Sequence, residues 1–583
     1  SAPPPVSVTV RPMGVEYFGS TTLTTLGGDG NGTVYLGELP AAGPSQSVQS
    51  ESVIRAGGPS VVVTLTSTTP TVAVPVVAGV AASPRTVTIA AGQSRTSLTL
   101  RPLVAGTTTI TAVSASAASP VRTGYPATIT VSSPISSISL GTRVGAGLAT
   151  QGSLSLQVAA PSGGVTTTIT SSDPTRLLIA PNATTAGAAS ITVTIPQGSF
   201  STSFWVMGLE DITGDPTVTA QTPGYTDATA TISVDETGVQ WFGSSTLTTL
   251  AGDGSGTVYI GAVSGVAGNR TISPEQIIRF GGVTRSITMT SSDPNVVLPV
   301  FGGIAQQGVV ATIAPGQSRV TVPVRPVGVG TATIAPSSPG LLSAETSTVP
   351  QSVTVTVPFM GLSISTFTLG SGLAQNPTLS VQTGIPAGGR TLTLTSSDPT
   401  RLLIAPNTTT LGSAQIGIPM NANSFSTPFV VMALEGATGT VSVSATIPGY
   451  RDTTFTFTVV QGAVTLTGPS ATRTVAQGDE AFQAQVGVPS GNSVIPQFVR
   501  FGAPASLTVT LASSAPSIGT LVVGGVAGSP STVSIAIGES TSTFNAATRA
   551  NFRPLSAGNT TITATVPGFQ QQGNAIRTVT VSP

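Results

Sequence analysis

The chain repeats itself, and that constrains its fold more than any other feature. Val15-Glu16-Tyr17-Phe18-Gly19-Ser20 through Asp29-Gly30-Asn31-Gly32-Thr33-Val34-Tyr35 returns as Val239-Gln240-Trp241-Phe242-Gly243-Ser244 through Asp253-Gly254-Ser255-Gly256-Thr257-Val258-Tyr259, an offset of 239 − 15 = 224. A different unit, running from Thr170 through Ser171-Ser172-Asp173-Pro174 to Asn182, returns unchanged from Thr395 to Asn407, an offset of 395 − 170 = 225. Two kinds of unit therefore alternate, and self-similarity at a fixed period is the signature of a modular array. The turn Ser-Ser-Asp-Pro or a variant occurs at Ser67, Ser171, Ser291, Ser396 and Ser513, so five modules are expected. They are placed at 1–134, 135–235, 236–358, 359–460 and 461–583, in the order long, short, long, short, long. Arg55, Arg279 and Arg500 stand at matching positions of the three long modules.

Within each module, stretches such as Thr86-Val87-Thr88-Ile89 and Thr108-Thr109-Ile110-Thr111-Ala112 alternate apolar and hydroxyl residues. Period two with β-branched residues marks strands with one buried face. Turns rich in Gly, Pro and Asp separate them, and no amphipathic helix of ten residues is evident. Roughly seven strands in about 100 residues is the immunoglobulin-like sandwich. The expected fold is all-β: five tandem antiparallel sandwiches in an elongated rod of roughly 150–200 Å, from strand rise and length.

Composition then removes most kinds of function. Charged residues are 7% of the chain, against about 25% in an ordinary soluble protein. The 21 cations, all arginine, balance 21 carboxylates. A neutral chain without lysine has no electrostatic footprint for nucleic acid or anionic lipid. With no Cys, no His and no Lys, thiolate metal sites, disulfides, imidazole bases, Schiff bases and lysine isopeptide links are all excluded. No Ser has an available base, and the carboxylates are too scattered for a glycosidase pair, so no enzyme and no cofactor are expected. No apolar run approaches the 18 or so residues of a membrane helix. Ser1-Ala2-Pro3-Pro4-Pro5 reads as the start of a mature chain, and the absence of an anchor motif as assembly rather than tethering.

Thr-Leu-Thr-Ser-Ser-Asp-Pro ending at Pro399, Gly316-Gln317-Ser318, and Pro223-Gly224-Tyr225 followed by Ala230-Thr231-Ile232-Ser233-Val234 resemble the tandem bacterial Ig-like domains. Such domains build the stalks of intimin- and invasin-like adhesins and many large surface proteins. The resemblance spans nearly the whole chain and implies an Ig-like fold and export, with a secreted, extracellular or cell-surface location. Such domains share no active site.

Several residues invite a functional reading. Asp29 and Asp253, in Asp-Gly loops, suggest calcium, but the further carboxylates such a loop needs do not follow. Asp-Gly between alternating runs is also a hairpin turn. The cluster Glu210-Asp211-Ile212-Thr213-Gly214-Asp215 keeps one carboxylate, Glu435, in its other copy, which favours a solvated loop over a metal site. Tyr17, Phe18, Trp241 and Phe242 are aromatic in both long copies and are expected to plug module junctions rather than bind glycan. Trp205, opposite Val430, is expected to pack locally. Asn31, Asn182, Asn269, Asn407 and Asn559 begin glycosylation sequons.

Val6-Ser7-Val8-Thr9-Val10 precedes Phe18 at the spacing at which Ala230–Val234 precedes Phe242, so it reads as a final strand standing without its module. Val6, Val8 and Val10 could add to a neighbouring copy's sheet, head to tail, and such a contact generates open filaments. Folding back on its own module and fraying are the alternatives. A low-charge surface has little repulsion to keep it dispersed. The expected function is therefore the structural subunit of a non-covalent filament, sheath or lattice, with itself as partner. An adhesin stalk or glycan-binding accessory rod is the alternative, with any glycan or host-surface contact left open.

Overall fold

The computed structural model describes residues 9–40, 46–120, 126–345 and 350–583. Their secondary structure is β-strand throughout, with one short 3-10 turn at Gly573–Ala575. Period-two burial follows the sequence alternation. In Val61–Ser67, Val61, Val63, Leu65 and Ser67 are buried, and in Gly106–Val113, Thr108, Ile110 and Ala112 are. Paired sheets close over these faces as Ig-like sandwiches. In the first repeat, one sheet holds Met13–Gly19, Gly30–Glu38, Arg95–Pro102 and Ala73–Val77; the other holds Thr22–Thr24, Thr128–Ser132, Gly106–Val113, Val61–Ser67 and Arg85–Ile89.

The sheets are not purely antiparallel. Thr22–Thr24 pairs parallel with Thr128–Ser132, and the same parallel pair recurs as Arg143–Gly145 with Ser233–Asp235 and Thr246–Thr248 with Gln351–Thr356. Thr368–Gly370 with Thr453–Val460 and Thr472–Thr474 with Ile576–Ser582 complete the series. Near its start each repeat places a short strand beside its own last strand, which ties its two ends together. Alternation of side chains cannot distinguish parallel from antiparallel pairing, so the sequence does not reveal this feature.

The recurring turn has a common job. The hydroxyl at its second position accepts a backbone N–H from a neighbouring strand in all five copies: Thr109 to Thr68 (3.0 Å), Thr217 to Ser172 (2.9 Å), Thr333 to Ser292 (2.8 Å), Ser442 to Ser397 (3.0 Å) and Thr561 to Ser514 (2.8 Å). A hydroxyl there satisfies a backbone donor that the turn would otherwise leave unpaired. Where Asp is present, it closes the turn by accepting from the residue two further on, as Asp173 does from the Thr175 amide and hydroxyl.

Pro223-Gly224-Tyr225 and Pro448-Gly449-Tyr450 work as pins. The Tyr225 hydroxyl donates to the Val158 and Ala159 carbonyls at 2.9 and 3.1 Å, and Tyr450 likewise to Thr383 and Gly384 at 2.7 and 3.1 Å. The glycines adopt φ of +82° and +88°, and a Cβ on either would stand 3.3 Å from a leucine of the preceding long repeat, Leu26 or Leu250. The backbone conformation therefore requires glycine, and a Cβ would also press on the leucine. Leu250 also packs on the core of residues 360–459, and Thr248 hydrogen-bonds Thr383 at 2.7 Å. Long-to-short joints are thus a leucine seated on a glycine.

Short-to-long joints are far more extensive. One buried cluster runs unbroken from Val144 to Val355, across the boundary near residue 235. Leu373 contributes to the core of residues 464–581, across the boundary near 460. The core of residues 360–459 closes without any residue beyond 460.

Replacing Tyr450 by Phe deletes a hydroxyl that serves two carbonyls and leaves the ring in place. The expected loss is about 1 kcal/mol, read as a lower denaturation midpoint with unchanged m-value.

Candidate functional site

The chemistry of this chain is concentrated where a short repeat meets the long repeat after it. The joint begins with an edge. Leu148–Leu156 and Leu373–Gln375 lie in short-repeat sheets, and an unpaired sheet edge presents a row of free N–H and C=O groups. The following long repeat covers it: Leu148 and Ala149 pair antiparallel with Ile278 and Ile277, and Leu373 and Ala374 with Val499 and Phe498. The next backbone N–H continues the pairing, from Arg279 to the Gly147 carbonyl (3.1 Å) and from Arg500 to Gly372 (3.2 Å).

Three side chains lock each joint. Gln276 accepts from the Gly145 amide at 2.8 Å and donates to the Arg143 carbonyl at 2.9 Å; Gln497 does the same with Gly370 (2.8 Å) and Thr368 (2.7 Å). Both glutamines are buried, so an incoming amide group matches a buried donor and acceptor in one step. Arg279 forks onto Glu210 with nitrogen–oxygen distances of 3.1 and 2.6 Å, and Arg500 onto Glu435 with 3.0 and 2.5 Å. A planar guanidinium on a carboxylate fixes direction as well as distance. Beside the fork, Ile277 packs on Ala149, Ala180 and Met207, while Phe498 and Phe501 pack on Ala374, Ala405, Val430 and Met432.

This arrangement explains the acidic cluster at 210–215. Glu210 is held by Arg279 and Asp215 accepts the Ser233 hydroxyl, so two of its carboxylates have partners. The one carboxylate that persists in the other copy, Glu435, is the half of the clamp that both joints need. Among the described residues no group of three His, Cys, Asp or Glu side chains could hold a metal ion.

Asp29 and Asp253 are also paired with arginine. Arg101 Nε and Nη2 meet Asp29 at 2.8 and 2.9 Å, and Arg325 meets Asp253 at 2.6 and 2.8 Å. A third copy, Arg553 on Asp479 at 2.7 Å for both bonds, lies outside any Asp-Gly motif. The sequence signal was available: each arginine opens an Arg-Pro pair 72, 72 or 74 residues after its aspartate. Hydrogen bonds from these arginines hold all three carboxyls below their ordinary value of 3.8.

The aromatic residues assigned to junctions sit elsewhere. Tyr17 and Trp241 are fully buried inside the sandwiches of their own long repeats, and Trp241 Nε1 donates to the Val322 carbonyl at 2.9 Å. Leu466 holds the same place in the last repeat, so the position requires apolar volume rather than an aromatic ring. Phe18 and Phe242 point the other way and are exposed, because successive strand residues face opposite sides. The aromatics that do meet across joints are Phe498, Phe501 and Phe569, the last 3.9 Å from where a Cβ on Gly372 would stand, whereas Trp205 packs on Ala149, Ala180 and Met207 of its own repeat. Asn31, Asn182, Asn269, Asn407 and Asn559 are all exposed, and the Asn182 and Asn407 amide oxygens accept from the Thr hydroxyls of their own sequons. Val6 and Val8 lie outside the described residues; Val10 is exposed and in no strand.

No helix among the described residues is long and apolar enough to cross a membrane. No protein family matches the chain. No curated protein matches it either. Among solved structures, the Yersinia pseudotuberculosis adhesin InvE is similar at 14% identity and a TM-score of 0.16, covering 38% of this chain and 58% of the adhesin. A β-glucuronidase of glycoside hydrolase family 2 is similar at 10% identity and TM-score 0.14, over 55% of this chain and 39% of that one. A family 2 glycosyl hydrolase from Bacteroides cellulosilyticus stands at 7% and 0.14, over 76% of this chain and 94% of the hydrolase. The chain thus spans less than two thirds of the adhesin and of the β-glucuronidase.

Two measurements check this site. In a double-mutant cycle with Arg500→Gln and Glu435→Gln, a coupling of about 1–2 kcal/mol is expected, below the 3–5 kcal/mol of breaking a fully buried pair, because Glu435 stays half exposed. The second follows acid. A carboxyl whose folded pKa is depressed stabilises the fold above its unfolded pKa, and the gain is lost as pH falls through the folded value. The triple variant Arg101→Gln, Arg325→Gln, Arg553→Gln should therefore melt below the parent by a constant margin down to about pH 4, and the margin should shrink below that. Chelator should leave both melting curves unchanged.

Proposed function

We propose that this chain is a non-catalytic structural stalk of an exported surface protein, in which short and long Ig-like repeats are locked as pairs and the pairs joined in series. The observation that carries the reading is the clamp itself: strand pairing, a buried glutamine and an arginine–glutamate fork, built twice from the same kinds of residue at equivalent places. A joint of this kind resists bending and shear, because backbone hydrogen bonds and a directional ion pair must break together. A surface of Thr and Ser with 7% charge keeps such a stalk hydrated without drawing it to nucleic acid or anionic lipid.

The filament reading shares this geometry and adds an axial contact between copies. Negative-stain microscopy of the pure protein at micromolar concentration separates the two. Isolated rods of roughly 150–200 Å are the expected result; ordered filaments or sheets would replace the stalk by a polymer subunit, and compact particles would sink both. A glycan array tests the accessory-rod alternative, with no binding expected.

A further inference from the structure

The first long repeat carries the same clamp platform as the other two, and no short repeat among the described residues covers it. At the offset of 224, Val53, Ile54 and Arg55 stand where Ile277, Ile278 and Arg279 stand. The backbone that shapes the platform is the same in all three. Ile54 N–H donates to Gln93 O at 3.0 Å, as Ile278 does to Gln317 and Val499 to Glu539, both at 2.9 Å. Gly92 N–H donates to Ile54 O at 2.8 Å, as Gly316 does to Ile278 (2.8 Å) and Gly538 to Val499 (2.9 Å). The turn behind the arginine closes alike, from Gly58 to Arg55, Gly282 to Arg279 and Ala503 to Arg500 at 2.9, 3.0 and 3.3 Å.

The difference lies in what covers it. Ile277 and Phe498, the counterparts of Val53, are half-buried against a short repeat and Arg500 is buried, whereas Val53 is 63% exposed and Arg55 is exposed with no carboxylate on it among the described residues. An apolar segment ending in a guanidinium with no carboxylate partner among the described residues is thus held in the backbone hydrogen-bond pattern that elsewhere binds an edge. Ser52 replaces the buried glutamine, so one of the three locks is missing and the docking is weaker than at the internal joints. The sequence leading into this repeat also matches the sequence that leaves a short repeat, Val6–Val10 against Ala230–Val234.

We propose that the face formed by Val53, Ile54 and Arg55 docks a short-type Ig-like module other than the two in this chain. That module offers a free antiparallel edge like Leu373–Ala374, a glycine carbonyl like that of Gly372 for the Arg55 amide, and a glutamate like Glu435 for its guanidinium. The two short repeats present here have these groups already engaged by residues 277–279 and 498–500, which is why the partner is a further module.

The test frees one internal short repeat and lets it find this face on another copy. The full chain carrying Phe498→Asp and Arg500→Glu opens the joint at residue 460 and exposes Glu435. At micromolar concentration it is expected to sediment as head-to-tail oligomers, while the parent does not gain them by this route. Adding Arg55→Glu should return it to the state of the parent, and adding Glu435→Arg to that variant should restore the oligomers. Truncation to residues 1–460 provides a second variant with the same exposed face, since the core of residues 360–459 closes without module five. Because the chain has no cysteine, Val53→Cys with Ala374→Cys in the truncated chain should give disulfide-linked ladders without background. Oligomers indifferent to Arg55→Glu overturn the proposal. So do opened or truncated chains that stay monomeric while keeping the melting transition of residues 359–460.

Discussion

An Ig-like sandwich buries its core but leaves the edges of its sheets with unsatisfied backbone groups, and in this protein the management of those edges organises everything above the single repeat. An exposed edge is a template for unwanted pairing. The short repeats meet the problem by giving the edge at Leu148–Ala149 and Leu373–Ala374 to the next repeat. Pairing two residues contributes little by itself. It becomes a joint because a glutamine side chain, a third backbone N–H and a guanidinium engage in the same register, so a slip of one residue would lose all of them.

Electrostatics in so neutral a chain is local. Twelve arginines among the described residues pair with a carboxylate within 4 Å. Several are two-point forks, a geometry available to guanidinium and not to ammonium. At these positions the planar guanidinium serves as a directional connector, which a lysine could not replace.

The two kinds of joint divide the chain mechanically. Short-to-long boundaries share a core cluster or a core residue, whereas long-to-short boundaries rest on Leu26 or Leu250 against a glycine. Free energy per boundary follows the apolar area and hydrogen bonds it buries. Bending is therefore expected to concentrate at the leucine joints, leaving the clamped pairs as the stiff units.

Sequence alone determined the β class, the alternation of two repeat types and the exclusion of most site chemistry, because period-two burial, near-identical repeats and missing residue types are all properties of linear order. It also contained the Arg-Pro and Gln-x-x-Arg positions of the forks and clamps, but not their partners, which lie 65 to 133 residues away. Sequence order cannot say which face of a strand meets which neighbour. Tyr17 and Trp241 therefore read as junction aromatics and proved to be interior, while Glu210 read as part of a solvated cluster and proved to hold the next repeat. Only tertiary structure decided those pairings, since a carboxylate becomes a clamp or a loop charge according to whether a guanidinium is folded against it.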